Sequence, residues 1–273
     1  MKRPAATALL HLVLLVGAVA ALAPLAWMVA ASLMPTGEAN SFPPRFLPSR
    51  PTLIHYRELF TRLNIGRTFG SSLLVASATT IVSLLFNSMA GYAFAKLRFP
   101  GRDRLFGALL AAMVIPAPIA MLPLFLLLRS LGLANSYAGV VLPAASTILG
   151  VFLIRQFARG IPDDLLDAAR LDGAGELKLY WKIVLPLLRP VLSTLAIVTF
   201  LATWNDFIWP LIVLTDERRY TLPVALASLS REHVQDNELM MAGSVLTTLP
   251  VLLVFIALQR YYLEGLTVGS VKG

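Results

Sequence analysis

The chain has 273 residues, of which 57% are hydrophobic and only 14% charged, and its mean hydropathy is +0.74. Soluble globular proteins carry about 25% charged residues, so this composition argues against a soluble two-domain enzyme and for a polytopic membrane protein. The net charge of +8 has no aromatic-interleaved basic run behind it. It is read as basic residues gathered in membrane-flanking loops, not as nucleic-acid binding. Cysteine is absent, which removes disulfides, thiolate metal sites and thiol nucleophiles.

After Lys2 and Arg3, the apolar run Ala8–Met34 is broken only by His11, Pro24 and Ser32. It exceeds the roughly 7–15 apolar residues of a signal peptide and the ~20 that a spanning helix needs. A retained first span with its N-terminus inside is expected. Residues 34–68 form an outer loop, because the prolines of Phe42-Pro43-Pro44-Arg45-Phe46-Leu47-Pro48 lack the N–H that a continuous helix requires. Within that loop Tyr56, Leu59, Phe60 and Leu63 recur at helical spacing opposite Arg57, Glu58 and Arg62. This short amphipathic helix rests on the membrane or on the protein itself, or docks a partner.

A second span covers about Phe69–Phe94, and Ala95 to Arg104 then make a short basic connector with a Pro100-Gly101 turn. A third span, about Leu105–Leu128, holds Pro116, Pro118 and Pro123 and is expected to be kinked or locally unwound. After a turn at Arg129–Ser136, a fourth span runs over about Tyr137–Phe157. A fifth follows at Leu187–Leu214, an outer loop at residues 215–238, and a sixth span at Leu239–Tyr262. On this topology fourteen of the 23 basic residues lie inside. The bias is steepest in the short connector after the second span, where the positive-inside rule is most reliable.

Between spans four and five lies the longest polar interruption of the back half, residues 160–187. Pro162 presets a helical φ, and Asp163 and Asp164 stand where the positive end of a helix favours acids. Leu165, Leu166, Ala168 and Ala169 form one side of that helix, with Asp163, Asp167 and Arg170 on the other. Asp172-Gly173 breaks it. A second short helix from Gly175 sets Leu177, Tyr180, Trp181 and Val184 at i, i+3, i+4 and i+7, opposite Lys178 and Lys182, and Leu185-Pro186 ends it. By these patterns alone, the pair fits an interfacial element on lipid headgroups and a knob that docks a protein equally well.

Asp167-Ala168-Ala169, Asp172-Gly173, Ile183 and Leu185-Pro186 resemble in register the Glu-Ala-Ala loop of permease subunits of bacterial ABC importers. The resemblance extends over nearly the whole chain. It includes Asn87 to Ala95, Phe99 to Arg102, Leu131-Gly132-Leu133, Arg155-Gln156-Phe157, Trp204-Asn205-Asp206-Phe207 and the terminal Gly265 to Gly273. This set is similar to the carbohydrate-uptake branch, and within it to the maltose-type second permease subunit.

The resemblance implies an all-α membrane protein of six transmembrane helices with a cytoplasmic coupling-helix loop, the type I ABC importer permease fold. It would form a single transmembrane permease domain over residues 1–273, multi-pass in the bacterial inner membrane with both termini cytoplasmic. Implied partners are a second homologous permease, two ATPase subunits and an external sugar-binding protein, in a setting of membrane lipid. Asp167, where the family usually has glutamate, together with Ala168, Ala169, Asp172, Gly173, Ile183, Leu185 and Pro186, would engage the ATPase. ATP and Mg would be held by those subunits, and no cofactor by this chain. Consistently, no Gly-x-x-x-x-Gly-Lys-Ser/Thr loop occurs, and His11, His55 and His233 are scattered rather than clustered for catalysis.

Asp206 is the one acid expected within a span, where a charge costs roughly 2.5–3.5 kcal/mol at the bilayer centre. With Trp204, Asn205, Trp209 and Asn87 it makes either a sugar-binding stretch of the translocation path or a helix-packing set. The loop at 215–238 is either a solvated connector or a docking site for the binding protein. The tail at 263–273, with Gly269, Lys272 and Gly273, is either a frayed terminus or, by resemblance, a contact to the ATPase pair. Alternatives are an ABC permease for a non-sugar solute, a secondary transporter, or a membrane scaffold. A secondary transporter needs inverted repeats and intramembrane ion-coupling residues, against which a single acid and no repeat argue.

Overall fold

The computed structural model describes residues 4–61, 64–232 and 236–267, and every regular element among them is helical. By length and composition, three helices can each cross a membrane: α1 (Pro4–Ala31), α3 (Ile65–Lys96) and α14 (Asn237–Thr267). Three further helix pairs qualify if each bent pair is one span. The described residues fall into two compact units, residues 1–67 with 225–250, and 68–224 with 251–273.

In the first unit, residues 7–26 of α1 are exposed without exception, as an apolar helix is when lipid or another chain is its solvent. The Pro-rich loop after it is closed by acids. Glu38 accepts from Arg45 (2.9 Å) and from the Ser49 amide (3.1 Å), and buried Glu238 accepts from the Ala39 amide at 2.7 Å. The amphipathic helix forms as α2 (Ile54–Thr61), but its buried face is His55 and Leu59, while Phe60 is exposed. His55 hydrogen-bonds the Met34 carbonyl (2.9 Å) and Tyr56 bonds Ser32 (2.8 Å). These contacts rotate the helix away from the stripe that spacing alone suggests. Leu63 lies outside the described residues.

In the second unit the spans are broken more sharply than composition suggests. Span three is α4 (Arg102–Ala112) and α5 (Ala117–Ser130), bent by 106° where Pro116 precedes α5 in an extended conformation. Span four is α6 (Tyr137–Val141), a 3₁₀ turn at Leu142–Ala144 and α7 (Ile148–Arg159), bent by 43°. The polar stretch folds as α8 (Asp163–Leu171), α9 (Glu176–Leu179), a π-helical turn at Tyr180–Val184 and α10 (Leu185–Leu187). Span five then divides into α11 (Arg189–Trp204) and α12 (Ile208–Val213). The segment before α14, expected to be a loop, contains α13 (Leu222–Glu232), most of which belongs to the first unit, with Leu222, Val224 and Leu226 buried.

Candidate functional site: a helical knob and a cavity at Asp206

The knob is built locally as its composition suggests, with two corrections. Pro162 stands just outside α8 (φ −59°, ψ 133°), so the helix begins at Asp163. At its other end, Ala174 donates to the Ala169 carbonyl and Gly173 to the Arg170 carbonyl, both at 3.0 Å. That pair of bonds is a Schellman closure, which needs a left-handed residue at its centre. Gly173 supplies it at φ +81°, and Ala169 and Ala174 pack on the same core cluster. The second alanine and the glycine of the motif are thus the two ends of one C-cap.

The second correction concerns the apolar stripe on α9 and the turn after it. Leu179, Tyr180 and Val184 are buried, whereas Leu177 and Trp181 are 66% and 48% exposed. The π turn inserts extra rotation, so a 3.6-residue pattern mispredicts which residues face inward. The helix also runs past Leu185-Pro186 and turns 77° at buried Leu188. Pro190 cannot donate to the Pro186 carbonyl, which permits that corner.

One face of α3 seats the knob, and the stretch Asn87 to Lys96 is legible residue by residue. Ser88 bonds the Tyr180 hydroxyl at 2.7 Å, and the Tyr92 hydroxyl donates to Glu176 at 2.7 Å. At Gly91 an added Cβ would sit 2.5 Å from Ile154, so α3 and α7 meet there at backbone distance. Arg155 stacks on Phe106 at 3.9 Å and donates to the Phe94 carbonyl at 3.2 Å, joining spans two, three and four. Lys96 donates to the Ile161 carbonyl (2.5 Å) and to Asp163 (2.7 Å). Its role in the connector sequence was topological only, because its partners lie 65 and 67 positions away.

Three charges of the knob are spent on one another. Arg170 donates to Asp167 at 2.6 Å and to Glu176 at 2.8 Å. The Arg170 hydrogen bond, aided by Tyr92, outweighs burial and holds the Glu176 carboxyl below the usual glutamate range. Lys96 does the same for Asp163. Ile183 and Leu185 are half-buried against the core, Pro186 is half-buried, and Ala168, Asp172 and Gly173 are exposed.

Of the candidate path residues, Asn87 is fully buried. Its amide donates to Ser83 (2.8 Å) and its carbonyl oxygen accepts the Thr147 amide (2.9 Å), while Thr147 caps α7 through the Gly150 amide. Asn87 therefore holds the break in span four. Trp204 is buried, stacked on Phe200 and edge-on to Phe69. Asn205 is exposed and bonds the Leu201 carbonyl. Asp206 and Trp209 line a cavity of about 370 Å³ with Thr79, Ala117, Pro143, Ala144, Thr147 and Thr203.

Three helix breaks meet at this cavity, before Ala117, before Ile148 and before Ile208. Pro143 cannot donate to the Gly139 carbonyl, and that freed oxygen accepts Trp209 Nε1 at 3.3 Å. Asp206 accepts the Trp209 amide at 3.3 Å, so the acid stands at the start of α12. The Thr79 hydroxyl is buried without a protein partner among the described residues. Gly269, Lys272 and Gly273 lie outside the described residues. Among the described residues there is no cluster of three metal-ligating side chains.

Comparison with known proteins places this architecture. Residues 83–267 match the model of the family described as binding-protein-dependent transport system inner membrane component. The chain is 43% identical over 253 residues to the arabinooligosaccharides transport system permease protein of Halalkalibacterium halodurans, covering 92% of this chain and 91% of that protein. It is 31% identical to the melibiose/raffinose/stachyose import permease protein of Bacillus subtilis, covering 99% and 100%. A chain from the crystal structure of a bacterial ABC transporter involved in the import of the acidic polysaccharide alginate superposes with a TM-score of 0.83 at 24% identity, over 96% of this chain and 98% of that one. The chain therefore belongs to the family of binding-protein-dependent transport system inner membrane components.

Proposed function

We propose that this chain is a permease subunit of an ATP-driven importer of oligosaccharides or related sugar derivatives, working by alternating access. The relatives that support the sugar class are named for arabinooligosaccharides and for melibiose, raffinose and stachyose. The chain contributes transport rather than catalysis. It forms the path with a second, homologous permease, receives solute from an external binding protein, and is driven by two ATPase subunits that hold ATP and Mg. Both termini and the knob face the cytoplasm.

One observation carries this reading. The knob, braced on α3, presents Leu165, Leu171, Leu177 and Trp181 outward, Leu171 at 90% exposure, in a segment with α8 acids and Lys178 beside them. Apolar side chains held rigidly outward by a buried base fit a protein partner better than water. The cavity at Asp206 is the proposed solute path, because converging helix breaks put Asp206, Trp209 and three threonines around one space.

Reconstitution with the ATPase and binding protein in proteoliposomes tests the reading by ATP-dependent uptake of arabino-oligosaccharides. Gly173→Asp is expected to abolish uptake while ATP hydrolysis persists, since position 173 is left-handed and the new charge enters the exposed turn. Substrate-stimulated hydrolysis and uptake equal to those of the unaltered chain would remove the knob from coupling.

A further inference from the structure

We propose that Lys96 and Tyr92 of α3 are positioning residues for coupling, two tethers one helical turn apart that make α3 the lever between knob and cavity. The inference rests on the functional reading above. The Lys96 side chain is only 6% exposed, although it lies in the last turn of its helix. Its ammonium sits between the Ile161 carbonyl and Asp163, so it grips the junction where α7 passes into α8.

Tyr92 grips the other half of the knob. Its hydroxyl donates to Glu176 Oε2, while Glu176 Oε1 accepts from Arg170, whose guanidinium also holds Asp167. One carboxylate at the start of α9 therefore ties α9 to α8 and both to α3. Residues four apart share a helix face, so the two grips act in one direction. Each grip is a hydrogen bond with a charged partner, stronger than a neutral pair, and together they keep the knob seated while it is displaced.

The rest of α3 connects these grips to the cavity. Ser88 bonds Tyr180, Asn87 holds the capped start of α7, and Thr79 lines the cavity itself. From Thr79 to Lys96 the helix is continuous, a length of roughly 25 Å at 1.5 Å per residue. The route through α11 instead passes the 77° corner at Leu188, so displacement of the knob reaches the cavity more directly along α3.

The test uses the complete transporter in proteoliposomes, with Tyr92→Phe and Lys96→Met, which remove the polar atoms and keep the shape. The double variant is expected to hydrolyse ATP at a rate that loaded binding protein no longer raises, with uptake reduced roughly tenfold. Lys96→Arg, which keeps charge and donors, is expected to retain most of the uptake that Lys96→Met loses. Unchanged uptake and stimulation in the double variant would overturn the proposal. So would a parallel fall in uptake, basal hydrolysis and ATPase retention on affinity purification that Lys96→Arg shares, because that pattern marks a general packing role. If the unaltered chain fails to retain an ATPase at all, the functional reading itself falls, an outcome distinct from the others.

Discussion

At Asp167 the carboxylate lies 2.6 Å from Arg170 on the same helix, and Arg170 also donates to Glu176, which accepts the Tyr92 hydroxyl. The side chain that the motif would aim at an ATPase is held within the knob, as the shorter reach of aspartate favours. Exposed pairs of this kind contribute only about 0–1 kcal/mol each, so their value here is orientation. Glu176 has a defined pH signature. Its carboxyl is held low in the folded chain by Arg170, so its contribution is present above the ordinary glutamate range and is lost as pH falls through the lowered value. Protection of the α8 and α9 amides against hydrogen exchange, taken relative to the intrinsic rate at each pH, should therefore fall on acidification below that range, and Glu176→Gln should flatten the response. Asn87→Ala is expected to cost about 1–2 kcal/mol by stranding the half-buried Thr147 amide, read as a lowered unfolding midpoint in detergent.

At the scale of elements, proline positions divide the spans. Pro116 was legible as a break, because it falls in mid-span with two more prolines beside it. The breaks before Ile148 and Ile208 were less legible, although Pro143 and Pro210 each free a carbonyl four residues back and signal them. What becomes of those oxygens is a tertiary matter, as Trp209 shows by taking one of them. The π turn at Tyr180–Val184 is the clearest departure from simple periodicity. A π turn is an α-helix with one residue inserted, so deleting exposed Lys182 should restore α-helical register and rotate Tyr180 relative to Val184. Loss of binding-protein-stimulated hydrolysis with normal membrane insertion is the expected result, and intact stimulation would show that the register is immaterial.

For the whole molecule, the fold is that of ABC importer permeases, and the absence of cysteine makes its orientation directly measurable. A single cysteine at Leu171, which is 90% exposed in the knob, should react with an impermeant thiol reagent only in inverted vesicles. One at Leu47, 76% exposed in the loop before α2, should react only in intact cells. The opposite pattern would invert the topology and move the knob away from any cytoplasmic motor. Helix α1, apolar and exposed over residues 7–26, is a surface that the chain does not cover by itself among its described residues. Lipid or another chain is its natural solvent.

The sequence alone determined what is local. Charge scarcity and apolar run lengths dictated a helical membrane protein, and Pro162, the paired acids and Gly173 dictated a capped helix followed by a left-handed turn. Each of those outcomes depends on a few neighbouring residues, whose φ preferences, missing donors or helix-end charges act over one or two turns. Tertiary structure decided what depends on distant partners. Lys96 became a clamp only because Ile161 and Asp163 fold back to it, Asn87 became a helix cap because span four breaks beside it, and Leu179 was buried because α9 packs it into one core cluster with Ile154 and Leu166. Hydrogen bonds spanning 60 or more residues leave no periodic trace in a sequence, so the seat of the knob and the cavity at Asp206 emerged only when the chain was folded.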